Sequence, residues 1–308
     1  MRFRRSMKLF LVGARSPTGK ALTEILRKRK ISFLAPAEKH FTPGNASAIA
    51  AMIGEYEPTQ LINLADFISG NHSALKRAQL MEDRCCAINA ELPGVLAEIC
   101  GRLELPLFHL SSSYVFAGDK KLAYGEHDEP DPAGIYGRCS LEGERRVREL
   151  PEHILLRPGW LFGPHKRGLI KSWIRSIKRH DGEIDVWRRR LNPTSTEDLA
   201  TAILAICHQV DCDANVWGTY HYCSLTPTWE KEVATLTLEF AAARDADIYA
   251  LLDRVNLIEK PVRAPEVFNS TLSGKKLFDT FGIKAKDWQE QLKKTVQSLY
   301  DPAKKAAA

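Results

Sequence analysis

Along the first half of the chain, short apolar runs rich in β-branched residues alternate with stretches in which apolar positions recur every three or four residues. The short runs predict strands over residues 8–12, 31–34, 60–64, 107–110 and 153–157. They are close to continuously apolar, as strands buried on both faces of a parallel sheet must be. Between the first two, Ala21, Leu22, Ile25 and Leu26 fall at helical spacing and Pro17 suits a first helical turn, so a helix is predicted over 17–30 and the whole reads as one β-α-β unit. Residues 81–100 repeat the helical pattern, and 199–207 do so after a capping residue at Ser195 or Thr196. Beyond Arg157 the alternation breaks, with Gly159, Gly163, Pro164 and Gly168 crowded ahead of a helical run over 169–178. The predicted fold is α/β: a Rossmann-type, doubly wound parallel sheet over residues 1–157, rejoined by 187–208. A smaller C-terminal α+β substrate domain follows over 158–300, then a tail over 301–308.

The 308 residues, 44% of them hydrophobic, can fill one large core and one smaller one. Apolar runs such as residues 9–12 and 154–156 fall far short of the roughly 20 residues that cross a bilayer, so no membrane span is expected. Met1, Arg2, Phe3, Arg4 and Arg5 begin like a signal peptide but lead into a strand and a glycine turn, which predicts a cytoplasmic protein. Seven cysteines, an odd count without a CxxC spacing or a histidine cluster, argue against a metal site or a disulfide role. The net charge of +6 is modest, but nine basic residues (Lys166, Arg167, Lys171, Arg175, Lys178, Arg179, Arg188, Arg189 and Arg190) fall between His165 and Arg190. For most of them a solvated helix face suffices, over a buried stripe of Leu169, Ile170, Trp173, Ile174 and Ile177. No nucleic-acid module or interleaved aromatic pattern accompanies the block, which argues against a nucleic-acid partner.

Doubly wound sheets bind ligands at the carboxyl ends of their strands, so the chemistry is sought there. The first strand ends in Gly13, Ala14, Arg15, Ser16, Pro17, Thr18 and Gly19, a turn into a helix whose N-terminus suits a pyrophosphate. Gly13 and Gly19 hold the outer positions of a GxxGxxG spacing, and Ser16 stands at the middle one. Taken alone, such a turn serves packing as readily as phosphate binding. Arg15 in this turn and Lys39 past the second strand suit a ribose 2′-phosphate, which favours NADP(H) over NAD(H), while Glu38 keeps the NAD(H) reading open.

Residues 109–118, with Ser111, Ser112, Ser113, Tyr114, Val115 and Phe116, are followed by Tyr136, Gly137, Ser140, Gly143 and Glu144 at the spacing of YGxSKxxGE. Together they resemble the dTDP-4-dehydrorhamnose reductase family, whose form of the first motif is STDYVFxG. The likeness extends to Asn63, Leu64 and Ala65 beside the cofactor strand, to Asn89 and Pro93, and to Arg157, Trp160 and Gly163. It continues through Pro193, Thr194, Asp198 and Leu199, Gly218 to His221, and Arg263 with Pro265 and Leu272. The resemblance implies that Tyr136 donates a proton to a sugar carbonyl, that Ser112 hydrogen-bonds the same oxygen, and that Asn89 supports the pair. A phenol and a hydroxyl so placed suit general-acid work worth about 10² to 10⁴ in rate. It also implies that Ser111 and the residues of the glycine turn border the cofactor. For the substrate, a nucleotide sugar or other small molecule, it points to stacking on Trp160 and to Arg167, Lys171 and Arg263 as partners of a diphosphate.

Three elements of cofactor handling depart from the family: Ser16 replaces the middle glycine, no clear ribose acid follows the second strand, and the lysine position, the most important of the three, is changed. The lysine expected four residues after the tyrosine, which binds the nicotinamide ribose and lowers the phenol pKa, is Ser140 here, and Arg138 lies on another helix face. Two functions follow: an NADPH-dependent reductase of a nucleotide-linked 4-keto-6-deoxy sugar, slowed by the loss, or a non-catalytic nucleotide-binding regulator acting through a protein partner or as a homo-oligomer. The second resembles the β subunit of methionine adenosyltransferase. Stabilisation by nucleotides separates the two.

Overall fold

A computed structural model of the protein describes residues 6–68, 73–164, 168–179, 182–212 and 214–301. In chain order it begins β1 (Lys8–Val12), α1 (Pro17–Lys28), β2 (Ser32–Leu34), α2 (Ala46–Tyr56), β3 (Gln60–Asn63), α3 (Ser73–Leu80), α4 (Glu82–Cys86), α5 (Leu92–Arg102), β4 (Leu107–Leu110), α6 (Ile135–Arg148) and β5 (His153–Pro158). These five strands and a returning strand, Gly218–Tyr222, form one six-stranded sheet in the order returning strand, β5, β4, β3, β1, β2. Every pairing in it is parallel. The α/β, Rossmann-like fold expected from the hydrophobic pattern is therefore present, and its strand order reverses between β1 and β3. That reversal opens the crevice in which doubly wound sheets bind their ligands.

Leu9, Leu11, Ile62 and Leu156 fill one face of the sheet against α1 and α8 (Thr196–Asp211), while Phe10, Val12, Leu61 and Leu107 face the helices on the other side. Ser195 caps α8 by accepting from Glu197 N–H at 3.3 Å, as its place before the helix predicted. A separate cluster gathers Trp173 and Ile177 of α7 (Leu169–Arg179), Leu238 of α9 (Glu230–Ala242), and Trp288 and Leu292 of the helix Trp288–Tyr300. The strands Glu183–Trp187 and Asn256–Lys260 pair in parallel beside it. Among the described residues no helix is long and apolar enough to cross a membrane.

The helix expected over 81–100 is interrupted. Between α4 and α5, residues Ala87–Glu91 form a turn of π-helix. Pro93 explains the widening: its ring nitrogen cannot donate to the carbonyl four residues back, and its ring crowds that carbonyl, which belongs to Asn89. A residue of the candidate site therefore sits where the helix is locally unwound.

Candidate active site

The glycine turn sits at the switch point. Gly13 has φ of +77°, and a Cβ there would lie 2.2 Å from Ala65 N and 2.4 Å from the Leu64 carbonyl carbon, so only glycine lets β1 and β3 close on each other. Ser16, at the position where a middle glycine was expected, begins α1 instead of opening the turn. Its hydroxyl accepts from Gly19 N–H at 3.1 Å and its own N–H donates to Gly13 C=O at 3.0 Å. Thr18 is buried behind it, whereas Arg15 and Lys39 are exposed on the rim of a cleft that Gly13, Ser16, Ala65, Asp66, Lys20, Arg77 and Arg84 also line. Asn63 does not line this cleft. Its amide faces His109 Nδ1 at 3.1 Å and accepts from Ala65 N–H at 3.1 Å, fastening the end of β3 to β4. Burial lowers the His109 pKa to about 4, which keeps this ring neutral.

A second cleft, continuous with the turn through Ser16, Thr18 and Leu64, holds the proton-transfer candidates. Ser111, Ser112 and Ser113 leave the end of β4 along its wall, and Tyr136 enters it from the first turn of α6. Ser112 accepts from Tyr114 N–H at 3.2 Å and hydrogen-bonds the Tyr136 hydroxyl. Ser111 is turned away, donating to Glu144 Oε1 at 2.6 Å. The same carboxylate takes Arg157 Nη2 at 2.6 Å, inside the sheet edge. Asn89 donates to Asp66 Oδ1 at 2.9 Å and to Ser140 Oγ at 3.3 Å, and accepts from Phe67 N–H at 3.0 Å. Ser140 donates to the Tyr136 carbonyl at 2.8 Å, so the hydroxyl at the lysine position is spent on its own helix and on Asn89.

Asp66 is the site residue that motif reading missed. It stands three residues beyond Asn63, lines both clefts, and accepts the Tyr136 hydroxyl, Asn89 and the N–H groups of Phe67 and Ile68. Burial raises its pKa to about 6. Burial first, then the Asp66 charge, pushes the Tyr136 phenol well above its ordinary value. The only signal for Asp66 in the sequence was a carboxylate just past the carboxyl end of a buried strand.

Trp160 lines the second cleft and stacks on Trp173 with centroids 6.3 Å apart. The expected basic partners are not gathered there. Lys171 is half-buried on α7 away from the lining, Arg263 is exposed outside it, and Arg167 lies outside the described residues. Besides Asp66, the charged groups in the wall are Arg189 and Glu266. Arg189 donates to Glu230 Oε2 at 2.5 Å, to Glu266 Oε2 at 2.6 Å and to the Tyr114 hydroxyl at 2.9 Å. Arg189 belongs to the basic block but is buried and neutralised, which composition alone did not reveal.

The expectation of no disulfide is corrected. Cys86 and Cys139, 53 residues apart in sequence, are joined with an S–S distance of 2.14 Å. Neither sits in a spacing motif. The packing of α4 and the π turn on α6 brings them together, tying the segment that carries Asn89 to the helix that carries Tyr136.

A parallel sheet with a glycine turn at its switch point, facing a serine and a tyrosine on the next strand and helix, defines an extended short-chain dehydrogenase/reductase. Within that class the chain belongs to the family described as RmlD substrate binding domain, whose model matches residues 7–301. It is 28% identical over 299 residues to the dTDP-4-dehydrorhamnose reductase of Sinorhizobium fredii, covering 95% of this chain and 98% of that protein. A solved dTDP-4-dehydrorhamnose reductase of Clostridium acetobutylicum superposes with a TM-score of 0.80 at 25% identity, covering 96% of this chain and all of that one. One of Bacillus anthracis, in complex with NADP, has the same fold with a TM-score of 0.78 at 24% identity, covering 94% and 99%.

Proposed function

We propose that this protein is a reductase of a nucleotide-linked 4-keto-6-deoxy sugar that uses a nicotinamide cofactor, NADP(H) in preference to NAD(H). The observation that carries the reading is the meeting of the Tyr136 and Ser112 hydroxyls in a cleft directly beside the glycine turn. The turn fits a dinucleotide: Gly13 holds β1 against the end of β3, and the N-terminus of α1 faces the cleft. Gly13, Ser16 and Ala65 would border the pyrophosphate, and Thr18 and Leu64 the neighbouring second cleft. The cations around the rim, Arg15, Lys20, Lys39, Arg77 and Arg84, outnumber the acids Glu38 and Asp66, which favours a 2′-phosphate. The bound cofactor would supply hydride. Tyr136 then supplies the proton to the carbonyl oxygen, Ser112 orients that oxygen, and Asn89 sets Asp66 and the Tyr136 helix. We assign the sugar ring to the Trp160 side of the second cleft, and residues 158–300 to the substrate lobe.

Thermal unfolding with NADPH, NADH and dTDP-sugars tests this first. A ligand at about 100 times its Kd adds roughly 2.7 kcal/mol to the native state. The expected result is a larger shift with NADPH than with NADH, followed by NADPH oxidation when a dTDP-4-keto-6-deoxy sugar is added. An unchanged melting temperature with every nucleotide would overturn the proposal.

A further inference from the structure

The lysine position is empty of charge, yet Tyr136 is not left with substrate alone. Its hydroxyl donates to Asp66, whose carboxyl is bound by Asn89 Nδ2 at 2.9 Å and by two backbone N–H groups of its own loop. Asp66 also lines both clefts. One face therefore meets the cleft of the glycine turn, which is open to solvent, and the other meets the cleft of Tyr136 and Ser112. This is the layout of a proton path: outer cleft, Asp66, Tyr136, carbonyl.

On the strength of the reductase reading, we infer that Asp66 supplies the proton that Tyr136 passes to the carbonyl oxygen, in place of the assistance that a lysine at position 140 would give. The bonds balance. As the carbonyl carbon gains hydride, its π electron pair moves to oxygen, the Tyr136 O–H bond breaks and the substrate O–H bond forms. Protonated Asp66 gives its proton to the Tyr136 oxygen and is left a carboxylate, which takes a new proton from water in the outer cleft. A neutral phenol is thus restored at a position where burial and a neighbouring carboxylate oppose a phenolate. The reverse order, with Tyr136 left ionised beside an ionised Asp66, would bury two like charges together.

Burial favours the acid form of Asp66, while the hydrogen bonds it accepts from Asn89, Tyr136 and the N–H groups of Phe67 and Ile68 favour the carboxylate, and among the described residues no cation packed against it adds to that pull. From α4 comes the Cys85 thiol, its own pKa raised to about 12 by burial, with Glu82 beyond it. From α6 comes Tyr136, and from the π turn the neutral amide of Asn89. Arg77 of α3 is committed to the Phe67 carbonyl at 3.3 Å and to the face of the Phe67 ring. Arg15 and Lys20 of the turn are exposed across the outer cleft.

With Asp66 titrating near 6, its acid form is complete below that pH and declines tenfold per unit above it. The wild-type kcat/KM for a dTDP-4-keto-6-deoxy sugar should therefore fall roughly a hundredfold between pH 5 and pH 8. Asp66→Asn keeps the shape and one accepting oxygen and removes the titratable proton. It should lose this pH step and sit at all pH values near the wild-type rate at pH 8, with NADPH-induced stabilisation intact. Carbon NMR of the Asp66 carboxyl in the ligand-free wild-type protein should show titration near 6, a readout that needs neither turnover nor a folded variant. An Asp66 that titrates near 4, a flat wild-type profile, or an Asp66→Asn profile like that of the wild type would each overturn the inference and leave the reductase reading standing. Absence of wild-type turnover at every pH would overturn both.

Discussion

A serine hydroxyl at position 140 reaches only its own helix and Asn89, where a lysine would extend into the cleft. Replacing Ser140 with Lys restores a cation to the cofactor side of Tyr136. A hydrogen bond to a charged group is worth about 1.5 kcal/mol at its lower end, which is roughly tenfold in Kd. Ser140→Lys should accordingly bind NADPH about tenfold more tightly by fluorescence titration and lower the Tyr136 pKa. Equal or weaker binding would show that the missing lysine is not what limits the cofactor site. Ser16 teaches the opposite lesson at the same scale. It departs from the glycine pattern but does local work as the cap of α1, so that departure need not harm the turn.

At the scale of elements, the π turn Ala87–Glu91 and α6 are fitted to each other through Gly143. A Cβ there would lie 2.1 Å from the Asn89 carbonyl oxygen, with backbone that cannot swing aside. Gly143→Ala should cost about 1 to 3 kcal/mol by overpacking and lower kcat by displacing Asn89 from Asp66. Gly54→Ala in α2 is the matched control, because nothing lies within 4 Å of its added methyl. It should stabilise the protein by about 0.5 to 1 kcal/mol with kcat unchanged. Urea titrations and turnover of the two variants check the pair, and similar behaviour of both would refute the packing account.

Across the whole molecule, the second cluster meets the sheet through Arg189, which is 3% exposed and bonded to Glu230 on α9, to Glu266 and to Tyr114. Glu230 has no exposure at all and lies beside a second buried carboxylate, so removing the cation strands like charges in a dry interior. Arg189→Met, similar in length but uncharged, should lower stability by about 3 kcal/mol or more in urea titration. A change below about 1 kcal/mol would mean that solvent reaches the network. Glu266 shows the tension already, because burial raises its pKa while Arg189 lowers it.

The strands of the sheet, the glycine turn and the cap at Ser195 were legible in the sequence because each is a local matter, whereas Ser112 and Tyr136 were singled out only through the family resemblance. Apolar runs, turn residues and helical periodicity act over a few positions and express themselves wherever the chain folds. The break at Pro93 was equally local, yet the helical pattern on both sides concealed it. Only the tertiary structure decided that Asp66 meets Tyr136, that Arg189 leaves the basic surface to neutralise Glu230 and Glu266, and that Cys86 joins Cys139. Such pairs acquire their energy when water is removed from both partners at once, and no periodicity records which charges or sulfurs will share a dry site.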